Sequence, residues 1–254
     1  MPGTRVTTAL AALLFSIGGA WADDVFVSGR LQRISTSSGV GGGGGIDWNH
    51  AASPRQALRL GFSIDALPGT RWGLGRGGAT RSFGRTSVAA DLMAGHSSVE
   101  GGFFQLRGGV THPLWGQRVL GDVEGQYVGG RTAKGTLAKA GLTFLPRPSL
   151  IFQGGYFHSF GGTLGSRLAV AKAVYLAGPR RYLAGASVGR SSPSVLGLVD
   201  QRRPQAVRHA FVGAAFPIAV ATELTIVLEH YDLEVANRSL LTLIWKVGRR
   251  EKGR

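Results

Sequence analysis

The sequence predicts an all-β chain, a transmembrane antiparallel up-and-down β-barrel of about 14 strands. Three observations carry this. Apolar and polar residues alternate with a period of two along most of the chain, the signature of a strand with two different faces. The alternating segments recur every 14–20 residues, separated by Gly, Pro and polar residues. No stretch suits a spanning helix: the longest apolar run, Ala210 to Ala221, has 12 residues and is broken by Pro217, against about 20 for a helix. A barrel strand needs only about 9–11 residues, with every second one apolar.

The alternation is clearest at the end of the chain. Thr222 to Glu229 sets Leu224, Ile226 and Leu228 against Glu223, Thr225 and Glu229. A polar turn spans Asp232 to Asn237, and Arg238 to Val247 then carries Leu241, Leu243, Trp245 and Val247 on one face. One hairpin is not stable alone, so the earlier segments must complete the sheet.

Taken in order, those segments are 25–35, 40–49, 56–66, 70–80, 86–94, 102–111, 118–128, 136–145, 150–160, 167–177, 181–190 and 207–216, with 222–229 and 238–247 as the last two. The third sets Leu58, Leu60, Phe62 and Ile64 against Arg59, Ser63 and Asp65. The sixth sets Phe104, Leu106 and Val110 against Gln105 and Arg107. The seventh sets Val119, Val123 and Tyr127 against Asp122, Glu124 and Gln126, and the eighth sets Ala138, Ala140, Leu142 and Phe144 against Lys139 and Thr143. Segments two, four and five are rich in Gly or Ala; if two of them fail, the barrel has 12 strands. The even count suits a barrel with both termini on one side. Five of the six turns on that side hold proline: Pro54, Pro113, Pro146 with Pro148, Pro179 and Pro217. Proline cannot donate to a ladder and belongs at such places. The longest connection, Ser191 to Gln205, falls on the opposite side. Trp48, Trp72, Trp115, Tyr127, Phe144, Tyr156, Phe160, Tyr182, Phe216, Tyr231 and Trp245 sit near segment ends, as interfacial girdles do.

Residues 1–22 read as a cleavable signal peptide. Arg5 is the positive region, Ala9 to Ile17 the apolar core, and Ala20-Trp21-Ala22 a small-residue cleavage site. The barrel then covers 23–247, and 248–254 form a basic tail. The chain has 41 glycines, only 17% charged residues, no cysteine, and a net charge of +15. The missing cysteine excludes disulfides and thiolate metal sites. In an exported chain such basicity points to membrane lipid, lipopolysaccharide phosphates, acidic polysaccharide or small anions in a pore rather than to nucleic acid.

Gly185-Ala186-Ser187-Val188-Gly189-Arg190-Ser191-Ser192-Pro193, a long connection, and three closing strands ending in Leu243-Ile244-Trp245-Lys246-Val247 resemble Gram-negative outer-membrane β-barrels, more narrowly the YaiO-type. The resemblance implies an outer-membrane address, folding by the barrel-assembly machinery, and a link to surface polysaccharide, with no catalytic residues. Many such barrels end on an aromatic residue used in assembly, whereas here Trp245 is followed by Lys246, Val247 and the basic tail.

Several motifs could carry chemistry. Gly185 to Gly189 matches G-x-S-x-G, but a nucleophile elbow needs a strand-to-helix turn and this one lies inside a strand. Gly73 to Gly78 matches G-x-G-x-x-G without the helix that phosphate binding requires. Gly41 to Gly45 leaves lumen space beside a bulky neighbour or bends the wall. His96 with Ser98, and His158 with Ser159, are the esterase candidates. The six histidines lack metal-binding spacing, and no cofactor is expected. If the apolar faces meet lipid, Arg59, Asp65, Arg107, Asp122, Glu124, Lys139 and Glu229 line the lumen. They either pair to stiffen the barrel or form a basic-biased passage for an anionic solute or polysaccharide. The same rule leaves Arg76 and Lys172 facing lipid, where they must snorkel or mark a slip of register.

Overall fold

A computed structural model describes residues 24–35, 39–53, 55–67, 70–98, 101–116, 118–131, 134–191, 205–234 and 236–248. The expected leader, residues 1–22, lies outside these, as do 192–204 of the longest connection and all of the expected tail 248–254 except Gly248, which is the last residue of the final strand. The strands are β1 (Asp24–Ile34), β2 (Val40–Ser53), β3 (Gln56–Leu67), β4 (Thr70–Phe83), β5 (Thr86–Ser97), β6 (Gly101–Trp115), β7 (Val119–Gly129), β8 (Lys134–Arg147), β9 (Leu150–Phe160), β10 (Arg167–Ala177), β11 (Arg180–Ser191), β12 (Gln205–Ala219), β13 (Thr222–Leu233) and β14 (Asn237–Gly248). Each pairs antiparallel with its neighbours in sequence, and β1 pairs with β14, so the sheet closes. Closure removes every sheet edge and satisfies the backbone without water.

The glycine-rich segments two, four and five are strands, so the count is fourteen rather than twelve. Most strands run a few residues past the alternating stretch, because a paired backbone continues where side-chain contrast fades. β13 reaches Leu233 and shortens the predicted polar turn. Pro113, Pro146 and Pro217 lie within the ends of β6, β8 and β12, not in the turns. The register shifts beside them, between Pro113 and Trp115, between Phe144 and Arg147, and between Pro217 and Ala219. A bulge frees the ladder position that proline cannot fill.

The two faces are reversed relative to a water-soluble protein. Leu58, Leu60, Phe62 and Ile64 on β3, Leu92 on β5, Leu106 on β6, Val212 on β12 and Leu243 on β14 all stand on the outer wall, with Leu60 and Phe62 each 55% exposed. Such a continuous apolar belt is incompatible with water and matches the lipid-facing band of a membrane barrel. Near the tight-turn end, Tyr175 stacks on Tyr182 with ring centroids 6.4 Å apart, and Tyr182 meets Phe216 edge-on at 6.5 Å. Trp72 and Tyr231 do not join an outer girdle. Trp72 is paired with the inward Asp65 in register, and Tyr231 lines two lumen cavities.

The β1–β14 seam is tied at both ends. Lys246 Nζ lies 3.0 Å from Asp24 Oδ2. At the other end Arg238 donates twice to Gln32 Oε1, at 2.6 and 3.1 Å, with both side chains buried.

Candidate functional site: the lumen wall

The inner wall is built on a repeated cross-strand row of cation, glycine and carboxylate. Arg30 on β1, Gly43 on β2 and Asp65 on β3 are direct neighbours in register. So are Asp47, Gly61 and Arg76 on β2, β3 and β4, and Arg59, Gly78 and Asp91 on β3, β4 and β5. In each row the two charged side chains reach over the glycine and meet: Arg30 to Asp65 at 3.2 Å, Arg76 Nε to Asp47 at 2.6 Å, and Arg59 to Asp91 at 2.9 Å. A β-carbon on Gly43, Gly61 or Gly78 would collide with the carboxylate lying across it. Glycine is thus required here for space, not for turn geometry.

Farther round the wall, Arg107 meets Glu124 at 2.6 Å and Lys139 meets Asp122 at 2.8 Å. Arg181 pairs with Glu223. Glu229 accepts from the Tyr231 hydroxyl at 3.2 Å. Arg59, Arg107, Asp122, Glu124 and Lys139 surround one cavity of about 410 Å³. Arg59 and Glu229 line a second of about 510 Å³ with Arg30, Asp47 and Arg76. Asp65 lies beside Arg30, 8% exposed, with Trp72 as its register neighbour on β4.

Arg76 and Lys172 face the lumen, not lipid. Arg76 is bound to Asp47, and Lys172 lines a third cavity of about 430 Å³. The rule that the apolar face meets lipid fails on these strands. On β4 the outer face is Gly73, Gly75, Gly77 and Ala79; on β10 it is Ala169, Ala171 and Ala173, while Leu168, Val170, Val174 and Leu176 face inward. When both faces are small or apolar, hydropathy alone cannot say which one meets lipid.

The wall therefore has two halves. Strands β1 to β8 carry the three glycine rows and the Arg107–Glu124 and Lys139–Asp122 pairs, and Arg181 on β11 reaches Glu223 on β13. The β9–β12 side carries Phe157, Leu168, Val170 and Phe211 around Lys172. The partners Arg30, Asp47 and Asp91 are not among the residues that sequence pattern assigned to the lumen. For Arg30 the signal is the alternation of Ser28, Arg30 and Gln32 with Val27, Gly29 and Leu31 on β1; Asp47 stands between Ile46 and Trp48, and Asp91 between Ala90 and Leu92.

At the loop end, the connection Gly161 to Ser166 folds over the rim. Leu164 is fully buried against Val128 and Leu137. Thr163 N–H donates to Lys134 O at 2.7 Å, and Ser166 N–H donates to Ser159 Oγ at 2.6 Å. Gly162, at φ +65°, makes this path available, because a side chain there would strike the Lys134 carbonyl.

The hydrolase candidates separate in space. His96 stands on the outer wall, paired in register with Gly73, and Ser98 Oγ accepts from Arg71 N–H at 3.1 Å. His158 packs between Tyr156 and Phe160 on the outside, whereas Ser159 turns inward to hold Ser166. Ser187 sits mid-strand on the inner wall, 3.4 Å from His209 Nδ1; Glu229 lies 3.9 Å from His209 Nε2. That order resembles a triad, but Ser187 lies in the ladder between Val170 and His209. Its neighbouring N–H groups are committed to the sheet and cannot form the oxyanion hole that acyl transfer needs. Among the described residues, no group of acidic or histidine side chains could hold a metal ion.

A closed barrel with an apolar exterior and a charged, partly empty interior has the fold of outer-membrane β-barrel proteins. Comparison with solved structures agrees. The chain superposes on the CymD monoaromatic hydrocarbon channel with a TM-score of 0.63 and 10% identity, over 99% of this chain and 94% of that one. It superposes on the Acinetobacter baumannii outer membrane protein Omp33 with a TM-score of 0.58 and 11% identity, over 90% and 99%. For Pseudomonas aeruginosa OpdL the values are 0.50 and 11%, over 88% and 96%. No protein-family model and no curated protein matches the sequence.

Proposed function

We propose that this barrel is an outer-membrane channel passing anionic solute by diffusion, without covalent chemistry. The observation that carries the reading is the set of three adjoining lumen cavities. The first two share Arg59, the first and third share Arg107 and Glu124, and the second and third share Tyr231. Among the described residues, Asp24, Asp47, Asp65, Asp91, Asp122, Glu124 and Glu223 each pair with an arginine or lysine, Glu229 accepts from Tyr231 beside Arg238, and Lys172 adds a cation without a paired acid, which supports a passage biased towards anions. The names of structural neighbours such as CymD, a channel, support a pore on this fold. The YaiO-type resemblance favours a surface polysaccharide as the exported anion.

The signal peptide expected at residues 1–22 and the apolar belt support an outer-membrane address reached through the barrel-assembly machinery. Lipopolysaccharide is the partner proposed at the loop end. There Arg167 and Arg190 stand directly opposite each other on the outer wall, with Arg208 nearby.

The packed Leu164 loop favours a second reading, a structural or surface-interaction barrel with a plugged lumen. Planar-bilayer conductance of the purified, heat-modifiable protein tests the first reading. Steady single-channel current that favours chloride over potassium supports it. A folded barrel that inserts and passes no current overturns it in favour of the plugged barrel.

A further inference from the structure

Lys172 stands in a row built like the three cation–glycine–carboxylate rows, with one member changed. Lys172 on β10 is the register neighbour of Gly185 on β11, and Gly185 is the neighbour of Phe211 on β12. Gly185 gives way to its neighbour as Gly43, Gly61 and Gly78 do: a β-carbon there would strike the Phe211 ring. The cation and the glycine seat are retained, but a phenyl ring occupies the place of the carboxylate. Among the described residues Lys172 has no acidic partner, and its side chain is exposed to the cavity of about 430 Å³.

The surroundings decide what would complete the row. Phe211 and Phe157 offer two aromatic surfaces to that cavity, with Leu168 and Val170 between them. Gln105 and Gln126 lie across the space as neutral hydrogen-bonding groups. Arg107, which also borders it, is already satisfied by Glu124. The free charge is thus one ammonium beside a flat apolar wall. A fully hydrated inorganic anion would leave the rings unused, and a neutral hydrocarbon would leave the ammonium unpaired.

We propose that Lys172 anchors a binding subsite for a small monocarboxylate with a flat apolar body, an arenecarboxylate being the simplest case. The ligand carboxylate pairs with the Lys172 ammonium, as Asp65, Asp47 and Asp91 pair with the cations of the other rows, and its ring stacks against Phe211 and Phe157. A charge-assisted hydrogen bond anchors one end and aromatic contact orients the other. This rests on the channel reading for its purpose, since the bound acid would be a permeating solute, but binding itself is measurable without current.

The test is titration calorimetry of benzoate, benzyl alcohol and acetate into the detergent-solubilised barrel, with bilayer conductance of the same preparation measured alongside. Saturable benzoate binding, at least tenfold tighter than that of either analogue, is expected. Lys172→Gln should weaken benzoate by about tenfold or more, the effect of losing one charge-assisted bond, and Phe211→Leu should weaken benzoate while leaving acetate unchanged. A heat-shifted band on a gel certifies that each variant is folded. Benzoate binding that is absent, or unchanged in folded Lys172→Gln, overturns the subsite whether or not the barrel conducts. Binding that depends on Lys172 in a barrel without current retains the subsite and removes only the channel.

Discussion

The Asp65 carboxylate lies across Gly43 of the neighbouring strand, in the space a β-carbon would fill, and from there it reaches Arg30. Two other aspartates, Asp47 and Asp91, use Gly61 and Gly78 in the same way. The glycines therefore decide where the lumen charges can lie.

Gly43→Ala should displace Asp65 and loosen its contact with Arg30, lowering stability by about 1–3 kcal/mol, the usual cost of overpacking. Gly29→Ala, on the outer wall with nothing within 4 Å, should cause no loss. Urea unfolding of the two variants from lipid vesicles compares them directly. Equal midpoints would show that Gly43 is not a spacer.

Asp91→Asn removes the acid that neutralises Arg59. Both groups are partly exposed to the lumen, so the pair contributes at most about 1 kcal/mol to stability and the barrel should still fold. One uncovered positive charge in the passage should raise the chloride-to-potassium permeability ratio by roughly twofold to threefold. The reversal potential in a potassium chloride gradient reports it, and a shift towards potassium would contradict the placement of Arg59.

Leu164→Asp puts a charge in the contact with Val128 and Leu137. Burying it unpaired costs several kcal/mol, more than one short connection can hold, so the Gly161–Ser166 segment should leave the rim while the strands persist. Conductance should rise if the native barrel is open, and appear for the first time if it is plugged. Unchanged current in either case would place the Leu164 contact off the permeation path.

Leu60→Arg puts a charge on the apolar outer belt and should cost about 2–4 kcal/mol in a bilayer. Refolding yield into vesicles and the urea midpoint should both fall. Full tolerance of arginine at this position would mean that this face does not meet lipid.

Strand number, the antiparallel order and the inward direction of Arg59, Arg107, Asp122, Glu124 and Lys139 were legible because a strand's period of two is local. Wherever one face was bulky and apolar and the other polar, as on β3 and β8, the sequence by itself determined both the element and its orientation. It did not do so on β4 and β10, where glycine and alanine occupy the lipid face and Arg76 and Lys172 turn inward. Only closure of the sheet decided those orientations, since each strand must match the register of both neighbours. Closure also chose the partners: Arg30 meets Asp65 across an intervening strand, and Gln32 meets Arg238 across the β1–β14 seam. Such contacts join residues far apart in the chain, and no local period encodes them. The unmatched Lys172 is visible only in the tertiary structure, because it is defined by rows that run perpendicular to the chain.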